Sequence, residues 1–207
     1  DALDLDSAVT ARRLLVGQDN ALTTASLNDP LDLDNASAGN VLQVDATNVT
    51  FANDATLVTG SEGDVDIDGT GGSGTGTVTL PETNSAPNAA PFGYDLTGAL
   101  NIDGNFSAVD IGEDVRTTSD AITIANGPTV TLTGDVKLDT DGGAGNGAAI
   151  SLPAVDADSG GEDLTLDAGD GAGSDVTISG LIGQTNRLGE LIVEEAGAVS
   201  LSNNTGG

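Results

Sequence analysis

Short apolar pairs separated by a single residue recur along the whole chain, among them Leu3/Leu5, Leu31/Leu33, Val65/Ile67, Leu100/Ile102, Val130/Leu132, Ile150/Leu152 and Val176/Ile178. A period of two puts the apolar members on one side of an extended backbone and the intervening residues on the other, so the pattern predicts short, half-buried strands. Gly, Asn, Asp, Ser and Thr punctuate nearly every pair and mark turns between them. Only residues 8–16 have any helical character, and their "RRLLV" reads equally well as strand. The chain is expected to be all-β.

The strands repeat. "LDTDGGAGNGAAIS" (138–151) and "LDAGDGAGSDVTIS" (166–179) match at an offset of 28 residues. Three families of apolar pairs can be followed through the chain. The first runs through Leu14/Val16, Leu42/Val44, Val78/Leu80, Val109/Ile111, Val136/Leu138, Leu164/Leu166 and Leu191/Val193. The second gathers Ile122/Ile124, Ile150/Leu152, Val176/Ile178 and Val199/Leu201, with Val49/Phe51 and Tyr94/Leu96 as looser members. The third holds Leu3/Leu5, Leu31/Leu33, Val65/Ile67, Leu100/Ile102 and Val130/Leu132. Three strands per turn predict a three-sided right-handed parallel β-helix, a β-solenoid of about seven coils of roughly 27–35 residues. Coils stacked about 4.8 Å apart give a rod roughly 30–35 Å long. Residues 1–207 are read as one solenoid domain, with loops projecting at 69–77 and 81–94 where the spacing swells. The competing architecture is two β-sandwich domains split near residues 81–91. The offset repeat argues against it, because sandwich strands do not recur in register.

Composition narrows the function. There are 33 acidic residues against 5 basic ones, a net charge of −28, and no His, Cys, Met or Trp. Without Cys there is no disulfide framework, and without His there is no imidazole base. Such a charge repels nucleic acid and anionic membrane, and no apolar run is long enough to span a bilayer. High acidity with few aromatics can signal disorder, but the regular apolar pairs predict a packed core instead. The chain does not open with Met, which reads residue 1 as a cut or processing point.

The C-terminal third carries "LTLDAG" (164–169), "DVTI" (175–178), "GLIG" (180–183), "LGELIV" (188–193) and "AGAVSL" (196–201). This succession resembles the repeat unit of filamentous-haemagglutinin-like β-solenoid adhesins, giant bacterial surface proteins, over about residues 121–203. The first 100 residues match only in style. The resemblance implies a secreted, elongated protein of cell-surface adhesion, filaments or sheaths.

Three kinds of chemistry compete with a purely structural role. The Asp/Gly-rich stretches at 142–150 and 170–178 approach the G-G-x-G-x-D nonapeptide of calcium rolls. They depart from it at the Asp or the large apolar position and stand 28 residues apart rather than nine. They are therefore read as coil corners. The sharper cation candidate is the "LDLD"-type strand. If its copies stack in register, Asp4, Asp32 and Asp66 form one outer column and Asp6, Asp34, Asp68 and Asp103 another. Carboxylates about 4.8 Å apart in water repel by roughly 0.9 kcal/mol per neighbouring pair, so calcium or salt should relieve the strain. No cofactor is required on this reading, and calcium on the acidic face is allowed. Catalysis by paired Asp residues is set aside, because the basic residues Arg12, Arg13, Arg116, Lys137 and Arg187 are scattered and aromatic platforms are few.

The sequence is thus read as a non-enzymatic structural segment of an extracellular or cell-surface filament or adhesin, partnered by itself or by adjacent repeats. It opens in strand-like "ALDL" and closes soon after "AVSL", which reads as a rod that continues, covalently or by head-to-tail assembly. The alternative is an adhesion module that grips a surface glycan or protein through the 81–94 loop, with Phe92 and Tyr94 as its contacts.

Overall fold

The computed structural model describes residues 1–17, 22–33, 39–52, 57–59, 63–70, 75–82, 93–142 and 146–202. Among these there are strands and turns and no helix, and every strand pairing is parallel. The chain visits three faces in turn. Ala2–Leu5 begins the first, Val9–Ala11 the second and Leu14–Val16 the third. It then returns to the first at Leu22–Leu27 and repeats the circuit for about seven turns. The long strand Gly39–Phe51 runs round a corner and joins the third face to the first, so the three faces form one 14-stranded and one 8-stranded sheet. The architecture is a three-sided parallel β-solenoid.

The apolar alternation explains the core. On the second face Val9, Leu31, Leu57, Tyr94, Val115, Leu138, Leu166 and Val193 stack as successive partners. On the first, Leu3, Ala25, Val49, Val78, Val109, Val130 and Val155 do the same, and Val155 bridges to Ile182. The third carries Leu14, Leu42, Val65, Leu100, Ile122, Ile150, Val176 and Val199. In a tube this narrow each inward side chain meets the coils above and below. Interior members such as Val65, Val109, Leu166 and Val176 are accordingly sealed from solvent.

The competing architecture is excluded, and three expectations change. Pairing is continuous and parallel across residues 81–91: Thr77–Leu80 pairs with Ala108–Ile111, and Val65 pairs with Leu100. Two antiparallel sandwich domains are therefore ruled out. Coil length is more variable than the repeat suggested: successive third-face partners lie 28, 23, 35, 22, 28, 26 and 23 residues apart. The families consequently mix faces in the first half. Leu42 stacks on Val65, not on Val78, and Val78 stacks on Val49. Within the two matched stretches, Leu138 does stack on Leu166, but Ile150 stacks on Val176 and Leu152 on Ile178. The second corner is two residues shorter, and an even shift leaves the same side chains pointing inward.

Candidate metal centre

The sequence-predicted columns are dispersed by the pairing. Asp4 lies on the first face opposite Ser26, Asp32 on the second opposite Thr10, and Asp66 on the third opposite Gln43 and Asn101. They do not form a column. Asp4 and Asp6 share the side-chain amide of Asn28, which donates to Asp4 Oδ1 at 2.5 Å and to Asp6 Oδ1 at 2.8 Å. Asp34 and Phe92 lie outside the described residues. Asp68 and Asp103 do stack, and Asp45, not singled out in the sequence, completes their ladder. Burial raises the Asp68 carboxyl above the ordinary 3.8, and the charges of Asp103 and Asp45 push it the same way. Asp66 is also raised, first by burial, although the Asn40 amide opposes this with a 2.9 Å hydrogen bond.

Tyr94 is not on a loop. It begins a short strand between Leu57 and Val115, is 2% exposed, and meets Phe51 edge-on with ring centroids 5.7 Å apart. Its place in an aliphatic column makes it a core residue, so it presents no surface to a glycan or protein.

A second cluster of charge lies at the corner where the two Asp/Gly stretches stack. Strands Val136–Asp139 and Leu164–Asp167 pair in register, so Asp139 sits directly on Asp167. Alternation turns both carboxylates outward, opposite to Leu138 and Leu166. Yet Asp139 is only 7% exposed and Asp167 only 9%. The corner that follows Asp139 folds back: Asp139 Oδ1 accepts the backbone N–H groups of Asp141 (3.0 Å) and Gly142 (3.2 Å). The Thr140 hydroxyl donates to the Ala148 carbonyl at 2.7 Å and accepts the Ala148 N–H at 3.1 Å, closing the loop. The next corner packs against it so closely that a Cβ on Gly147 would lie 1.6 Å from the Ala168 carbonyl oxygen. Only glycine fits there.

Lys137 reaches across three coils. Its Nζ donates to Asp167 Oδ2 at 2.8 Å and to Glu194 Oε2 at 2.7 Å, and lies 3.9 Å from Asp139 Oδ2. Burial alone would lower the Lys137 pKa; the hydrogen bonds to Asp167 and Glu194 and the neighbouring carboxylates outweigh it and leave the pKa raised. Asp139 is raised above 3.8, chiefly by burial, with the Asp141 N–H and Lys137 acting against that. One oxygen each of Asp139, Asp141 and Asp167 lies within 4.8 Å of the others. Asp167 Oδ1 is fully buried and accepts no hydrogen bond among the described residues. Further along the same row, Arg116 forks onto Asp95, Nε to Oδ1 at 3.0 Å and a terminal nitrogen to Oδ2 at 2.8 Å. Two of the five basic residues thus tie neighbouring coils of one face together.

The repeat offset already paired Asp139 with Asp167 in the sequence. The missing signal was the back-folded corner, which buries a position that strand alternation assigns to solvent.

An aliphatic tube wound from parallel strands on three faces, with its charges in rows on the outside, defines a β-solenoid repeat protein. No protein family, no curated protein and no solved structure matches the chain. The finer likeness to filamentous-haemagglutinin-like adhesins therefore stands on the sequence motifs alone.

Proposed function

We propose that this chain is a non-enzymatic structural segment of an extracellular or cell-surface filament or giant adhesin of the filamentous-haemagglutinin-like kind, extending and associating by stacking coil on coil. The observation that supports the reading is the unbroken parallel stacking of inward side chains coil on coil, from Val9 through Tyr94 to Val193 on the second face. Val199 and Leu201 stand on Val176 and Ile178, at inward core positions, yet they are 51% and 44% exposed where Val176 and Ile178 are fully covered. Strand Val199–Leu201 pairs on one side only among the described residues. A coil of another copy laid on such an edge would continue its strand ladders and cover the exposed apolar positions.

The motif likeness supports the same reading. Its segments fall on consecutive faces: Leu164–Asp167 on the second, Val176–Ile178 on the third, Ile182 bridged to the first, Leu191–Glu195 on the second and Val199–Leu201 on the third. The motif covers five consecutive faces, about one and two-thirds turns of the solenoid.

Negative-stain microscopy of the purified chain over a range of concentrations tests the proposal. Rods that lengthen end to end in multiples of about 34 Å, seven coil spacings, are expected. Single particles of one length at every concentration would count against it.

A further inference from the structure

We propose that the stacked corners at Asp139 and Asp167 form a calcium site, with Asp139, Asp141 and Asp167 as its carboxylate ligands. The proposal concerns a corner along the side of the rod and is independent of end-to-end assembly.

Geometry is the first argument. The three carboxylates offer oxygens within 4.8 Å of one another. Calcium binds oxygen at about 2.3–2.6 Å, so opposed ligands stand roughly 4.6–5.2 Å apart and the cluster fits within one coordination sphere. The donors are hard oxygens only, in a chain without His or Cys, which disfavours softer metals. Magnesium prefers a tighter shell of about 2.0–2.1 Å and sheds its water reluctantly.

The second argument is Asp167 itself. A carboxylate oxygen can only accept, and a buried one is ordinarily matched by a donor or a metal. Lys137 satisfies Oδ2, while Oδ1 is buried without a donor among the described residues. Charge points the same way. Asp139, Asp167 and Glu194 gather around the ammonium of Lys137, with Asp141 beside them and Arg116 in register with Asp139, and a divalent ion would add positive charge to this acidic group.

The site needs no tandem nonapeptide. It is built by stacking one Asp/Gly corner on the next, so two ligands come from one coil and the third from its neighbour. Bound calcium would therefore clip the two coils together.

Isothermal titration of the full 207-residue chain with calcium chloride in about 0.15 M sodium chloride tests this, the salt screening diffuse attraction to the acidic surface. One saturable site is expected, with Kd on the order of 10⁻⁴–10⁻³ M. Asp141→Asn should weaken it about tenfold or more and Asp167→Asn should abolish it, while Asp68→Asn on the third-face ladder should leave it unchanged. Magnesium should bind at least about tenfold more weakly than calcium. Circular dichroism establishes that each variant folds, and if Asp167→Asn does not, the half-exposed Asp141→Asn carries the test. The assignment is overturned by absence of saturable binding up to about 10 mM, undiminished affinity in Asp141→Asn, loss of binding in Asp68→Asn, or equal affinity for magnesium.

Discussion

Asp139 and Asp167, 28 positions apart in the chain, are direct partners in the parallel pairing of the second face, and both are almost wholly buried. Two stacked carboxylates in a low-dielectric corner repel, and Lys137 is the cation that sits between their coils. Replacing it leaves the carboxylates without their counter-charge. Lys137→Met is expected to lower stability by about 2–4 kcal/mol, less than for a fully buried pair because the ammonium is partly hydrated. Urea unfolding checks it; a change under about 0.5 kcal/mol would show that Lys137 is only a surface contact.

Tyr94 separates a core role from a binding role. Its ring fills a column otherwise built of Leu and Val, and its buried hydroxyl has no hydrogen-bond partner among the described residues. Tyr94→Ala should therefore cost about 3–5 kcal/mol, in the range of other large aromatic deletions. Tyr94→Phe removes an unsatisfied polar atom and should be neutral or stabilising by up to about 1 kcal/mol. Thermal melts of the two variants read this directly. A Tyr94→Phe chain that loses stability would point to a hydroxyl contact of real importance.

The same residue shows why part of the fold could be read from sequence and part could not. In-and-out alternation at Val65–Ile67 or Leu100–Ile102 follows from side-chain chemistry alone, and so does the three-sided solenoid. Which face a pair belongs to does not. Leu42, Val65 and Val78 are equivalent inward residues, and only the length of chain between them decides that Leu42 stacks on Val65. That length varies with the corners, which are polar, Gly-rich and free to change by several residues. Tyr94 follows a Pro-rich stretch and therefore looks like loop, yet the next strand begins with it. Asp139 and Asp167 are the reverse case: an outward position in the alternation becomes buried because a corner folds over it.

Stability should rise as the solution is acidified from neutrality. Burial is the largest cause that lifts Asp66, Asp68, Asp110, Asp114 and Asp139 above the ordinary 3.8 in the folded chain. Each such carboxyl holds its proton more tightly folded than unfolded. Its stabilising contribution is fully present below 3.8 and is lost as pH rises through the raised folded value. Lowering pH from about 7 toward about 4 restores that contribution and also reduces the self-repulsion of the acidic chain. Glu162, lowered mainly by the Ser159 hydroxyl, works in the opposite sense but lies at the surface. Calorimetric melts across this range should show a rising midpoint; a midpoint that falls steadily from neutrality would reverse the assignment.

We propose that the solenoid associates by stacking a coil of another copy on an exposed coil edge. Sedimentation velocity of the wild-type chain and of the Val199→Asp/Leu201→Asp double variant, over the same concentrations, tests it most directly. Both residues are at least 44% exposed in the last described coil, so the charges are accommodated without disturbing the coils beneath. The account predicts concentration-dependent association of the wild type and a monomeric variant with unchanged circular dichroism. Equal association of the two chains, or none in either, would contradict it.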